Sequence, residues 1–80
     1  MYKELHYIVK NKNYVSLILC IGFNPNCNIK LLNHELEVKN NKYLYRFLLS
    51  LRKNNYINKI NKKYTLTNKG NKIFNMLLTL

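Results

Sequence analysis

The sequence predicts a mainly helical fold with one small β-hairpin, and three observations carry that expectation. Leu44, Phe47, Leu48 and Leu51 recur at i, i+3, i+4 and i+7, the apolar stripe of one helix face. Two short alternating runs, YINKI and YTLT, flank Asn61-Lys62-Lys63 and read as strands around a turn. Upstream, Tyr14 to Ile21 is apolar nearly all round and stops at GFNPNCN, so it predicts the most buried helix.

In chain order, residues 1–12 predict a short amphipathic helix. Leu5, Ile8 and Val9 form its apolar side with Tyr2 behind them, and Lys3, Glu4 and Lys10 face outward. Asn11-Lys12-Asn13 reads either as a break or as a turn within a longer helix. Gly22 to Asn28 holds the only proline of the chain and predicts a turn. Asn28 is placed to cap a helix from Ile29 to Leu36, which buries Leu31, Leu32 and either Leu36 or Ile29 and turns Lys30, Asn33 and Glu37 outward. Val38-Lys39-Asn40 makes a corner before a second, longer helix, residues 41–53. A short helix, a tight corner and a longer helix form a helix-turn-helix arrangement over 29–53.

That longer helix carries Lys42, Arg46, Leu49 and Lys53 opposite its apolar stripe. It runs into Asn54-Asn55, and asparagine is the residue after glycine most willing to adopt the left-handed conformation that ends a helix. The hairpin spans 56–67. Thr67 can then cap a last helix over 68–80, with Ile73, Leu77 and Leu80 on one stripe and Phe74 and Leu78 on a second, Met76 at its edge. One stripe suffices to pack this helix on a single domain covering 1–80. The surplus predicts a homodimer with Phe74, Leu78 and Leu5 as contacts; the alternative is a C-terminal helix wrapped into its own domain.

Fourteen Lys and Arg face three acidic residues, Glu4, Glu35 and Glu37, for a net charge of +11. An imbalance of this size favours a polyanionic partner, nucleic acid before an anionic membrane. An A+T-rich coding bias would also raise Lys and Asn, so the placement of the charge says more than its amount. The 48% hydrophobic content is too high for a disordered basic tail. Val15 to Phe23 is too short to span a bilayer, the start of the chain lacks the layout of a signal peptide, and Cys20 and Cys27 form no CxxC pair. These features predict a reduced, cytoplasmic protein with no membrane partner.

Enzymatic readings find little support. No Asp occurs, the three Glu are scattered, and His6 and His34 lack Cys or acid at metal-ligand spacing. No glycine-rich phosphate loop or Ser/His or Cys/His constellation is present. The expectation is a non-enzyme with no metal, no cofactor and no identifiable small-molecule ligand.

The order of elements from Val15 to Leu80, together with Leu51-x4-Tyr56-Ile57 and Tyr64-x-Leu66-Thr67-x-Lys69-Gly70, resembles the winged helix-turn-helix family of small archaeal, bacterial and viral transcriptional regulators. Asn55 stands where that family usually has glycine, and asparagine holds the same backbone geometry at modest cost. The resemblance implies a winged helix-turn-helix with an extra N-terminal helical segment. It also implies that the 41–53 helix enters the DNA major groove while the hairpin, the wing, reaches the backbone or minor groove.

Residue by residue, Asn40, Asn41, Lys42, Tyr43, Tyr45 and Arg46 occupy the corner and the first turn and a half, where base edges come closest. Arg46 can grip guanine O6 and N7, and Asn41 adenine N6 and N7. The alternatives for Arg46 are a phosphate, or pairing with Glu35 or Glu37. Tyr43 and Tyr45 can stack, bond phosphate through their hydroxyls, or complete the edge of the core. Leu49 can meet a thymine methyl or a dimer partner, or simply be an exposed leucine. Lys59, Asn61, Lys62 and Lys63 at the hairpin tip, Asn28 and Lys30 at a helix start, Asn40 at the corner and Lys53 are the expected backbone contacts.

The first functional expectation is therefore sequence-specific binding of double-stranded DNA by a homodimeric transcriptional regulator. One alternative is a protein-interaction module, such as an inhibitor of a nucleic-acid-associated complex. A second is a binder of structured RNA.

Overall fold

Five helices and one two-stranded antiparallel sheet follow one another in a computed structural model that describes residues 2–36 and 41–80. They are α1 (Tyr2–Val9), α2 (Lys12–Phe23), α3 (Ile29–Leu36), α4 (Asn41–Lys53), β1 (Ile57–Ile60), β2 (Lys63–Leu66) and α5 (Asn68–Leu78). The chain is thus mainly helical with one small hairpin, as the sequence predicts. The corner expected at Val38-Lys39-Asn40 lies outside the described residues, and so does Glu37.

The hub is α2, which packs against α1, α3, α4, α5 and β2. Leu17, Ile18, Cys20 and Ile21 are its buried residues. Around them close Ile8 from α1, Leu32 from α3, Leu44, Leu48 and Leu51 from α4, Tyr56, Ile57 and Tyr64 from the hairpin, and Ile73 from α5. Asn11 ends the ambiguity between break and turn: its side chain accepts from the Asn13 N–H at 3.0 Å, an N-cap that starts α2 and ends α1 early.

At its other end α2 continues through Gly22 and Phe23, two residues expected in the turn. Gly22 is there for packing rather than for turning. A Cβ at this position would run into the Phe74 ring of α5. On α3 only Leu32 is fully buried, and Asn33, expected outside, is half-buried.

The joint between α4, the hairpin and α5 accounts for the Tyr-Thr-Leu-Thr-Asn-Lys-Gly tag. Asn55 takes φ 64°, the left-handed terminus of α4. The Thr67 hydroxyl donates to the Asn55 and Tyr56 carbonyls and accepts from the Gly70 N–H at 3.0 Å, so one side chain caps α5 and ties it to the end of α4. The Lys69 ammonium donates to the Asn54 carbonyl at 3.1 Å and lies 4.4 Å from the Tyr56 ring centroid, a cation on the negative end of α4.

The strand register is Ile57↔Leu66, Asn58↔Thr65, Lys59↔Tyr64 and Ile60↔Lys63. The turn is therefore the two residues Asn61 and Lys62, and Lys63 belongs to β2 instead of to the three-residue turn expected. Both turn residues have positive φ, 52° and 65°, the mirror-image geometry that matches the twist of a hairpin. Cys27 adds an isolated antiparallel bridge to Tyr64, whose N–H donates to the Cys27 carbonyl at 2.7 Å. Among the described residues, no helix is long and apolar enough to cross a membrane.

Candidate nucleic-acid interface

Burial of one face of α4 determines what the opposite face presents. Leu44, Leu48 and Leu51 are buried with Phe47 half-buried beside them, against α2 and β1. Lys42, Arg46, Leu49 and Lys53, half a turn away, are all exposed, as are Asn41, Tyr43 and Tyr45. Arg46 makes no ion pair or hydrogen bond among the described residues, so the expected alternative of a Glu35 partner is not realised. Nine of the fourteen cationic residues, and none of the acids, lie in 41–80.

The hairpin lies along one flank of α4. A groove between them is lined by Leu49, Arg52, Lys53, Ile57, Asn58 and Lys59. A second groove, about 280 Å³, brings Tyr45 of α4 together with Lys59, Lys62 and Tyr64 of the hairpin and Ile29 at the start of α3. The Cys27–Tyr64 bridge draws the start of α3 to the hairpin, and of that segment Ile29 lines this groove. Asn28 uses its side-chain oxygen to cap α3, accepting from the Leu31 N–H at 3.0 Å, and leaves its amide NH₂ for an outside acceptor.

Lys59 is less a tip residue than expected. Its ammonium lies 5.6 Å from the ring centroid of its cross-strand partner Tyr64. The tip itself is Asn61, Lys62 and Lys63, all exposed. The structure therefore gathers Lys42, Tyr45, Arg46 and Lys53 with Lys59 and Lys62 around one helix-and-hairpin surface. Arg52 and Asn58 were missed by sequence reasoning and line the same groove. Neither carries a local signal, because only the packing of β1 on α4 brings them there. Asn40 lies outside the described residues.

The opposite flank of α4 is braced by α1 and α2. The Tyr14 hydroxyl donates to Ser50 Oγ at 2.9 Å, and the Tyr7 hydroxyl lies 3.3 Å from the same oxygen. Asn54 Nδ2 donates to the Ser50 carbonyl at 2.9 Å and to the Tyr7 hydroxyl at 3.4 Å. Tyr7 stacks on Tyr56 with ring centroids 6.0 Å apart, and Tyr14 meets Phe47 edge to face at 5.7 Å. Burial, the largest influence, pushes the Tyr14 phenol above its ordinary range. The N-terminal segment is thus built into the support of α4.

The expected dimer contacts are placed unevenly. Leu5 is half-buried against the core, and Phe74 packs edge to face on Phe23 at 5.1 Å within its own chain. Leu78 is half exposed, and Phe23, which sequence reasoning left in the turn, is 64% exposed beside Phe74. Cys20 and Cys27 are free and buried. No group of three or more His, Cys, Asp or Glu among the described residues could hold a metal ion.

No family model, no curated protein and no solved structure matches this chain.

Proposed function

We propose that this protein binds double-stranded DNA sequence-specifically as a transcriptional regulator, with α4 in the major groove and the hairpin on the flanking backbone or minor groove. One observation supports this reading above the others. The exposed face of α4 carries Lys42, Arg46 and Lys53 beside a lysine-tipped turn, with no acidic residue anywhere in 41–80. Coding bias can raise the number of lysines but does not sort them onto one side of a helix. Asn41, Lys42, Tyr43, Tyr45 and Arg46 are assigned to base edges. Asn28, Lys30, Asn40, Lys53, Lys59, Asn61, Lys62 and Lys63 are assigned to phosphates, which set register and carry no sequence information.

If about 6 phosphates are neutralised, log K against log[salt] slopes at about −5 on duplex DNA. Titration of a matched duplex from low to moderate salt measures this, and a slope near zero sinks the reading. Footprinting on DNA flanking the protein's own gene would supply the site.

The regulator is proposed to act as a homodimer through the α2–α5 edge, where Phe23 and Leu78 are exposed. Sedimentation at high concentration tests this, and a mass of one chain removes it. Two free, buried thiols suit the reduced cytoplasm proposed as its location.

A second reading, a protein-interaction module, has its own support. Tyr45, Leu49 and Ile60 are 46%, 48% and 63% exposed near the helix–hairpin surface. Absence of nucleic-acid binding even at low salt would favour that reading, and preference for duplex RNA would favour the RNA alternative.

A further inference from the structure

A pocket of about 420 Å³ opens on the flank of α4 away from the hairpin, lined by Tyr14, Tyr43, Arg46, Phe47 and Ser50. Its volume falls within the range of about 300–1,000 Å³ usual for small-molecule sites. Four of the five lining residues come from α4 at positions i, i+3, i+4 and i+7, so they share one helix flank. Tyr14 reaches in from α2.

Three of the five are aromatic. The rings of Tyr14 and Phe47 stand at 89° to one another, two perpendicular apolar walls rather than one closed stack. The Tyr14 hydroxyl donates to Ser50 Oγ at 2.9 Å and the Tyr7 hydroxyl lies 3.3 Å from the same oxygen, so the serine hydroxyl is held in place on the pocket wall. Arg46 contributes a guanidinium engaged by no other described residue, and no carboxylate among the described residues lines the pocket.

We infer that this pocket takes a nucleotide unit, its base against the aromatic walls and its phosphate on Arg46, a contact that replaces the guanine contact assigned to Arg46 on matched duplex. The chemistry selects this class. A flat π-surface suits the rings, the polar edge of a base suits the Ser50 hydroxyl, and a cationic ligand is opposed by Arg46 and the net charge of the chain. Arg46 also lies on the outward face of α4, so the pocket adjoins the track of a strand lying along that helix. An unpaired base in that strand reaches the pocket without the cost of leaving a stacked pair. This inference deepens the nucleic-acid reading, and it distinguishes an unpaired nucleotide from duplex as ligand.

The test uses the full chain and 2-aminopurine in three settings: as the free 5′-monophosphate, as one unpaired bulge in a duplex, and paired in the matched duplex. The expected result is a fluorescence change on binding the bulged duplex, and affinity about tenfold above the matched duplex. Phe47→Leu, which keeps volume and loses the ring, should bring the bulged-to-matched ratio to near one. Tyr43→Leu on the exposed flank provides the same readout should Phe47→Leu fail to fold. A response from the free monophosphate alone identifies a diffusible nucleotide as the source and also supports the site. Equal affinity for bulged and matched duplex, with no response to the free monophosphate, overturns the inference and leaves duplex binding standing. A ratio unchanged in both variants overturns it too, since flexibility of the bulge would then explain the preference. Binding of the bulge without the matched duplex removes the proposed function and retains the pocket.

Discussion

Gly70 lies against the carbonyl oxygen of Tyr56 so closely that a Cβ there would overlap it. The contact joins the first turn of α5 to the segment leaving α4, and the obstructing atom is backbone, itself held by the Thr67 N–H at 3.1 Å. Gly70→Ala therefore has nothing soft to displace and should destabilise the fold by about 1–3 kcal/mol, the usual range for overpacking. Gly22→Ala is the informative comparison. Its obstacle is the half-buried Phe74 ring, a side chain rather than backbone, while alanine gains about 0.5–1 kcal/mol within a helix. Urea denaturation of the two variants should show a clear loss for Gly70→Ala and a much smaller one for Gly22→Ala. Equal losses would mean that the ring is held as firmly as the carbonyl.

Lys62 holds φ 65° at a turn position where hairpins of this type favour glycine. A side chain in that region costs roughly 1–2 kcal/mol, and glycine returns about 0.4–1 kcal/mol of that through a more flexible unfolded chain. Lys62→Gly should therefore raise stability by about 0.5 kcal/mol while flattening the salt dependence of DNA binding by about 1 unit. Thermal melts and salt titrations on one sample check both. A variant that gains stability and binds DNA with an unchanged slope would show that Lys62 touches no phosphate.

What could be read in advance was local. The stripe of α4, the left-handed Asn55 and the caps by Asn28 and Thr67 each depend on residues within a few positions of one another, and each is found as expected. Misreadings arose where a residue's local habit yielded to a distant partner. Gly22 reads as a breaker yet stays helical because Phe74 needs the space. The Tyr7–Tyr14–Ser50 network had no local signal, since its hydroxyls meet across 36 and 43 residues of chain. The same holds for the site. Lys42, Arg46 and Lys53 follow from the period of one helix, whereas Arg52 and Asn58 join it only through the docking of β1.

Arg46 and Lys62 are assigned different work, and DNA can tell them apart. A guanidinium gripping one guanine contributes about 1–3 kcal/mol at that base pair and little elsewhere. Arg46→Ala should thus relax selection at a single position of the site, whereas Lys62→Ala should weaken all sequences alike. Competition binding against a set of single-base variants reads both. Uniform losses from the two variants would reduce α4 to a backbone binder and leave sequence recognition without a residue.

Cys27 gives the structure a dependence on alkaline pH. The residue is 6% exposed, its Sγ–H points to the Tyr64 carbonyl at 3.9 Å, and burial, aided by nearby Cys20, pushes the thiol pKa from 9.0 up to about 11. A raised thiol pKa means that the folded state holds the proton more tightly than the unfolded state. The associated stability is fully present below pH 9, where both states are neutral, and is lost as the unfolded thiol ionises and pH climbs toward 11. Lysine titration in the same window relieves repulsion, with opposite sign, so the wild-type curve alone is ambiguous. Cys27→Ala shares that background and lacks the thiol. Across pH 8 to 11 the wild type should lose about 1–3 kcal/mol of unfolding free energy relative to Cys27→Ala. Parallel curves would show that the thiol ionises as readily in the folded chain as in the unfolded one, and that the Cys27–Tyr64 bridge leaves it open to water.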